Sequence, residues 1–253
     1  PYEGAYATAV ENATNLAAVG ARPLAAVDCL NGGNPEKPDV YGGFTAIVDG
    51  LADGCRDLSV PVVGGNVSLY NDSVAGPIPP TPTLAMLGEK DGYDAPGSAL
   101  TGEGTLLLVG GHETGLGGSE YLAQAGGSDA FPDLPTDAGA RVSALADVAN
   151  LDSTLAVHDV SDGGLAVTLA EMVTADAGAS VAVSSVAELF SEAPGRAVVE
   201  TTDPESVTER VDAVELGAAN DSGALALDVS GDELTYDYEE IVSARDVLDR
   251  ELD

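Results

Sequence analysis

Short apolar runs alternate with segments of helical spacing along nearly all of this 253-residue chain, which confines it to an α/β or α+β architecture. Tyr6–Val19 carries Ala, Leu and Val at helical spacing and stops at Gly20, the signature of a helix with its C-terminal glycine. Pro23–Val27 reads as a short strand followed by a polar loop over Asp28–Pro38, and Val40–Leu58 as a second helix. Val60–Val63 reads as a buried strand breaking at Gly64–Gly65, and Thr81–Leu87 as another strand. Gly88–Gly104 is rich in Gly, Pro, Asp and Ser and reads as a linker, so a lobe of residues 1–98 and a lobe of residues 99–253 are expected. In the second lobe strands are expected at Thr105–Gly110, Leu155–Val157, Val181–Val183, Arg196–Glu200 and Ala224–Val229. Helices are expected at Gly118–Ala125, Ala138–Asn150 and Asp162–Ala175, and near Pro204–Ala213 and Tyr236–Leu252. No internal repeat is visible.

The core that such elements enclose is built from small side chains. Hydrophobic residues make up 44% of the chain but aromatics only 4%, with no Trp, so Ala, Val and Leu must pack against backbone brought close by 31 glycines. No apolar run approaches the ~18 residues of a membrane span, and no secretory signal is expected. The chain opens at Pro1 rather than Met and reads as cut from something longer. Its 43 acidic and 9 basic residues give a net charge of −34, dispersed along the chain rather than gathered in a tail. Such a surface repels nucleic acid and anionic membranes. In molar salt, where the Debye length falls to ~3 Å, its self-repulsion is screened, so a cytoplasmic protein of a halophile is expected. Cys29 and Cys55 have no metal-site spacing and read as two reduced, buried thiols. The four N-x-S/T sequons, beginning at Asn12, Asn66, Asn71 and Asn220, read as chance without an export signal.

Four polar clusters could carry chemistry. Asp28 stands at the end of an apolar strand before the Asn- and Gly-rich segment to Pro38, a usual place for ligand contacts in α/β sheets, although an Asx turn explains it equally. In Gly64-Gly-Asn-Val-Ser-Leu-Tyr-Asn71 the glycines admit a ligand close to the backbone, and the Asn66 carbonyl is a hard oxygen suited to Mg²⁺. Ser68 shares the face of Asn66 if the segment is extended; the alternative is a strand-to-turn transition. In His158-Asp-Val-Ser-Asp-Gly-Gly164 a metal or phosphate loop competes with a plain helix start, Ser161 being the N-cap and His158 a packed imidazole. Gly115-Leu-Gly-Gly-Ser-Glu-Tyr121 is a glycine-rich turn without dinucleotide spacing, and no Walker loop occurs. With two histidines, His112 and His158, no hydrolase triad can be assembled.

Together these clusters are more specific than any one of them. Pro1-Tyr-Glu-Gly-Ala5, Asn15-Leu-Ala-Ala-Val-Gly-Ala-Arg-Pro23, Asn34-Pro-Glu-Lys-Pro38, the Gly64–Asn71 and His158–Gly164 segments, Pro80-Thr-Pro82 and Leu116-Gly-Gly-Ser-Glu-Tyr121 stand in one order. In that order they resemble the second half of the phosphoribosylformylglycinamidine synthase II family, with haloarchaeal origin implied by the charge. The resemblance implies a fold of the aminoimidazole ribonucleotide synthetase type, with an N-terminal lobe lacking its opening strands, a C-terminal lobe, and a first half that pairs with this one as a pseudo-dimer. The implied reaction uses ATP to activate the formamide oxygen of formylglycinamide ribonucleotide as an iminophosphate, from which ammonia displaces phosphate. The ammonia comes from glutamine on a glutaminase subunit, and a small third subunit joins the complex. By motif, Asp28 and Gly65 would contact ATP, Asn66 would bind Mg²⁺ and Ser68 would contact the substrate. The catalytic bases are expected in the absent first half. By pseudo-symmetry Asp159 is a candidate for a second nucleotide site. Two rivals stay open: a sibling ATP-using enzyme of the same fold, and a non-catalytic nucleotide-binding scaffold.

Overall fold

A computed structural model describes residues 1–247. Helix α1 (Tyr2–Ala18) buries Ala5, Ala9, Ala13 and Ala17, a four-residue step that lines small side chains along one stripe. After it come β1 (Arg22–Asn31) and α2 (Pro38–Asp57), whose Pro38 occupies the first turn, where a missing N–H costs no helical bond. Next are β2 (Val62–Ser68), a small hairpin of β3 (Asp72–Ser73) and β4 (Gly76–Pro77), and β5 (Thr81–Glu89). β1 is the central strand of a three-stranded sheet, parallel to β2 and antiparallel to β5. Helices α1 and α2 cover one face, where Ala26, Leu30 and Leu84 pack with Ile47, Leu51 and Cys55. On the other face Val27 and Leu87 remain 46% and 65% exposed.

The C-terminal elements are β6 (Thr105–Val109), α3 (Glu120–Ala125), α4 (Ala138–Ala149), β7 (Thr154–Asp159), α5 (Gly164–Met172), β8 (Gly178–Val183) and α6 (Val186–Phe190). They continue with β9 (Ala197–Thr201), α7 (Pro204–Thr208), β10 (Ala213–Asn220), β11 (Ala224–Val229), β12 (Asp232–Asp237) and α8 (Tyr238–Arg245). Their strands form a seven-stranded sheet in the order β12-β11-β8-β10-β6-β9-β7, antiparallel except between β8 and β11. β6 is buried on both sides. Leu106 and Leu108 join Leu165, Leu169 and Met172 of α5, while Leu107 and Val109 join Val142 and Leu145 of α4 and Ala13 and Ala17 of α1. Helix α1 therefore packs against both sheets, Ala5 and Ala9 toward one and Ala13 and Ala17 toward the other. The segment entering β6 is held by the fully buried Glu200, whose carboxylate accepts hydrogen bonds from the N–H groups of Thr101, Gly102, Glu103 and Gly104 and from the Thr101 hydroxyl.

The mixed α/β character agrees with the sequence reading, but several boundaries do not. β1 runs on through Asn31, so Asp28 lies inside a strand paired on both sides, not in a loop. β2 continues through Gly64–Gly65 instead of breaking there, and Val62 to Val67 are exposed because it is an edge strand. The helix expected near Pro204–Ala213 stops at Thr208, and Ala213 begins β10, whose register shift between Glu215 and Gly217 masks its alternation. The expected helix Tyr236–Leu252 starts at Tyr238, and its residues beyond 247 lie outside the described residues.

Candidate functional site

The parallel pairing of β1 and β2 sets Asp28 beside Gly65, Cys29 beside Asn66, and Asn31 beside Ser68. Side chains alternate along a strand, so these pairs divide between the two faces of the sheet. Asp28 shares the helix-covered face with Ala26 and Leu30, and its carboxylate fills the space a side chain on position 65 would need, so only glycine fits there. Burial raises the pKa of the Cys55 thiol, and the Asp28 charge raises it further. Asn66 and Ser68 stand on the open face with Cys29 and Asn31, whose Nδ2 lies 3.7 Å from Cys29 Sγ. Cys29 is only half-buried, so of the two thiols expected inside only Cys55 is there.

At the end of β2 the chain doubles back. Tyr70 adopts a left-handed backbone with φ of 61°, uncommon for a non-glycine residue, and this turns Asn71 underneath Ser68. Asn71 Nδ2 lies 3.0 Å from the carbonyl oxygens of Gly32 and Ser68 and 3.1 Å from Ser68 Oγ. Asp72 then accepts from Lys37 Nζ at 2.8 Å and from the Asn34 amide at 3.2 Å. The Lys37 hydrogen bond leads in holding its carboxyl below the usual range, outweighing slight burial. The loop after β1 and the loop after β2, two separate motifs in the sequence, are thus joined into one wall.

Asp159 belongs elsewhere. It ends β7, an edge strand of the other sheet, and its carboxylate contacts the Ser161 hydroxyl. Asn15 of α1, with its amide nitrogen turned to the carboxylate, lies 2.8 and 3.1 Å from the two oxygens. His158 is a packed strand-end imidazole: Nδ1 is 2.8 Å from the Asp159 carbonyl and Nε2 is 3.3 Å from Glu171. Ser161 is not the N-cap of α5. Gly163, with φ of 80°, takes that position, and its N–H donates to Glu192 Oε1 at 2.7 Å. The Glu120 N–H donates to the same oxygen at 2.8 Å, so N–H groups of both glycine-rich segments converge on the chain's own carboxylate. A cleft of about 280 Å³ adjoins it, lined by Glu11, Gly117, Gly118, Ser161, Asp162 and Glu192. Burial, followed by the charges of Asp162, Asp159 and Glu192, holds the Glu11 carboxyl above the usual range. Among the described residues no group of three or more His, Cys, Asp or Glu side chains could hold a metal ion.

Residues 1–89 match the family of AIR synthase related proteins in its N-terminal domain, and residues 102–228 match the C-terminal domain. This chain belongs to the AIR synthase-related family. Its curated relatives include the phosphoribosylformylglycinamidine synthase subunit PurL of Natronomonas pharaonis, 63% identical over 100% of this chain and 37% of the relative. The same-named subunit of Methanosarcina mazei is 40% identical over 98% of this chain and 37% of its own length. The chain thus spans little more than a third of these relatives. Among solved structures, T. maritima PurL complexed with FGAR superposes with a TM-score of 0.74 at 18% identity, covering 95% of this chain and 43% of that one. E. coli HypE gives 0.71 at 18% identity, covering 92% and 79%, so the AIR synthase-related fold is shared beyond one named enzyme.

For this family member the structure brings the four motif residues of the first sheet into two adjacent pairs and leaves Asp159 apart from them. Asn71 and Asp72 carry contacts that the sequence reading did not assign, although Asn71 closes the Gly64–Asn71 motif. Glu192 was missed altogether. A lone Glu outside every motif gives no local sign that two distant turns converge on it.

Proposed function

We propose that this chain forms part of an ATP-dependent ligase that converts formylglycinamide ribonucleotide and ammonia into formylglycinamidine ribonucleotide in purine biosynthesis. The observation that carries this reading is the 63% identity to a phosphoribosylformylglycinamidine synthase subunit across the whole chain. The open face supports it: Asn66 and Ser68 stand together there for Mg²⁺ and ribonucleotide, while Asp28 and Gly65, proposed for ATP, pair on the helix-covered face of the same two strands. Asn66 is exposed, and among the described residues the hydrogen bonds of its corner run through Asn31, Ser68 and Asn71 without engaging its amide. One free hard oxygen suits Mg²⁺, which takes few protein ligands and completes its shell with phosphates and water. When bound, the ion would offset charge on the phosphoryl group being transferred.

This chain's own contribution is to orient: Ser68 holds the ribonucleotide, and Asp28, packed against Gly65, meets the nucleotide. The general bases belong to the first half of the protein, which would cover the open face of the first sheet, with a boundary between the lobes of this half near residue 98. A glutaminase subunit supplies ammonia, and a small third subunit completes the assembly. Asp159 is retained for a second nucleotide site, where a ligand would compete with Asn15 and Ser161 for its carboxylate. The dispersed charge of −34, with halophiles among the relatives, supports work in a salt-rich cytoplasm.

Asn66→Ala in the full-length subunit tests the site. The half-saturating Mg²⁺ concentration should rise about tenfold, equivalent to ~1.4 kcal/mol. A lower melting temperature with unchanged Mg²⁺ dependence and turnover would make Asn66 a turn residue and remove the site from this face.

A further inference from the structure

We propose that Asn71 is the positioning residue for the Ser68 hydroxyl, an inference that rests on Ser68 meeting the ribonucleotide. A serine hydroxyl on an open sheet face can rotate among three staggered positions, and only some of them present its proton to a ligand. Here one neighbour restricts it. Asn71 Nδ2 is 3.1 Å from Ser68 Oγ, and Asn71 Oδ1 is 3.3 Å from the same oxygen. The amide is itself fixed by the carbonyls of Gly32 and Ser68, each 3.0 Å from Nδ2. Gly32 belongs to the loop after β1 and Ser68 to β2, so one side chain ties the hydroxyl to that loop as well as to its own strand. The left-handed Tyr70, the Tyr70 N–H bond to the Gly33 carbonyl at 3.1 Å and the Asn71 N–H bond to the Gly32 carbonyl at 3.2 Å deliver it there.

The proton accounting gives this arrangement a direction. An Asn Nδ2 carries two hydrogens, and three oxygens surround this one, so a hydrogen is shared. When Nδ2–H donates to Ser68 Oγ, it uses one oxygen lone pair and leaves the hydroxyl proton to point outward. Without a ligand that proton can rest on Asn71 Oδ1. When a phosphate or carbonyl oxygen of the ribonucleotide arrives, the proton turns to it while the Nδ2 bond holds Oγ in place. Asn71 thereby parks the hydroxyl in the empty site and presents it in the filled one, without touching substrate.

Steady-state kinetics of the full-length synthase subunit test this with Asn71→Ala, Ser68→Ala and the double variant, varying formylglycinamide ribonucleotide and ATP separately. Loss of one neutral hydrogen bond's worth of ordering predicts a rise of about three- to tenfold in KM for the ribonucleotide in Asn71→Ala, with KM for ATP within about twofold. In the double variant the ribonucleotide KM should equal that of Ser68→Ala alone, because Asn71 acts only through the hydroxyl. Multiplicative effects in the double variant, or equal loss for ATP and ribonucleotide, would overturn the inference and leave Asn71 as a loop brace. An unchanged ribonucleotide KM in Ser68→Ala would instead overturn the placement of the substrate, and the inference with it. Melting temperatures recorded in parallel separate folding loss from either result.

Discussion

The two sheets of this chain are finished to different degrees. Every residue of β9, an interior strand of the C-terminal sheet, is buried, whereas β1, the central strand of the N-terminal sheet, leaves Arg22, Leu24 and Val27 exposed. Helices pack against both sides of β6, while Val27 and Leu87 stand open on one side of the smaller sheet. The residues proposed to meet ligands lie on the smaller sheet. A strand that fills its own surroundings has no room for a substrate, and a half-covered one has. Helix α1 packs against both sheets and so joins the smaller one to the larger.

This contrast can be broken by mutation. The largest effect is expected at Glu200, where Ala would leave four backbone N–H groups and a hydroxyl without their acceptor. Unsatisfied buried donors of that number should lower the unfolding free energy by about 3 kcal/mol or more, read from urea unfolding of this chain in molar KCl. Val63→Ser on exposed β2 should change it by less than ~0.5 kcal/mol in the same assay. Comparable losses at both positions would mean that the two sheets are equally self-contained.

A smaller effect sharpens the same point. Leu87 is 65% exposed on the open face, so Leu87→Ser should be nearly neutral in this chain. In the full-length subunit, where the first half is proposed to cover that face, the same change should cost about 1–2 kcal/mol from lost apolar burial. Equal and small losses in both proteins would leave the face uncovered and locate the pairing surface elsewhere.

Much of this was legible in the residues, for identifiable reasons. Strands such as Thr105–Val109 and helices such as Ala138–Ala149 announce themselves because burial makes their periodicity regular. Asp28 was misplaced into a loop because Asp, Cys and Asn look like loop residues, and only the pairing of β1 with both neighbours makes them strand. Gly64–Gly65 looked like a break for a similar reason: local propensity cannot see that Asp28 requires a glycine opposite it. In the site, residue types pointed to Asn66 and Ser68 through the oxygen each offers. The latch of Asn71 and the plug of Glu192 depend on contacts between segments far apart in the chain, which no local pattern encodes.

The central claim is that this chain carries one wall of the ligase site and that the reacting groups come from the rest of the protein. Its most direct test is complementation in molar KCl with ammonia, ATP, Mg²⁺ and formylglycinamide ribonucleotide. The purified chain should form no amidine product, and adding the separately expressed first part of the subunit should restore ATP-dependent formation. Steady product formation by the chain alone would contradict the account.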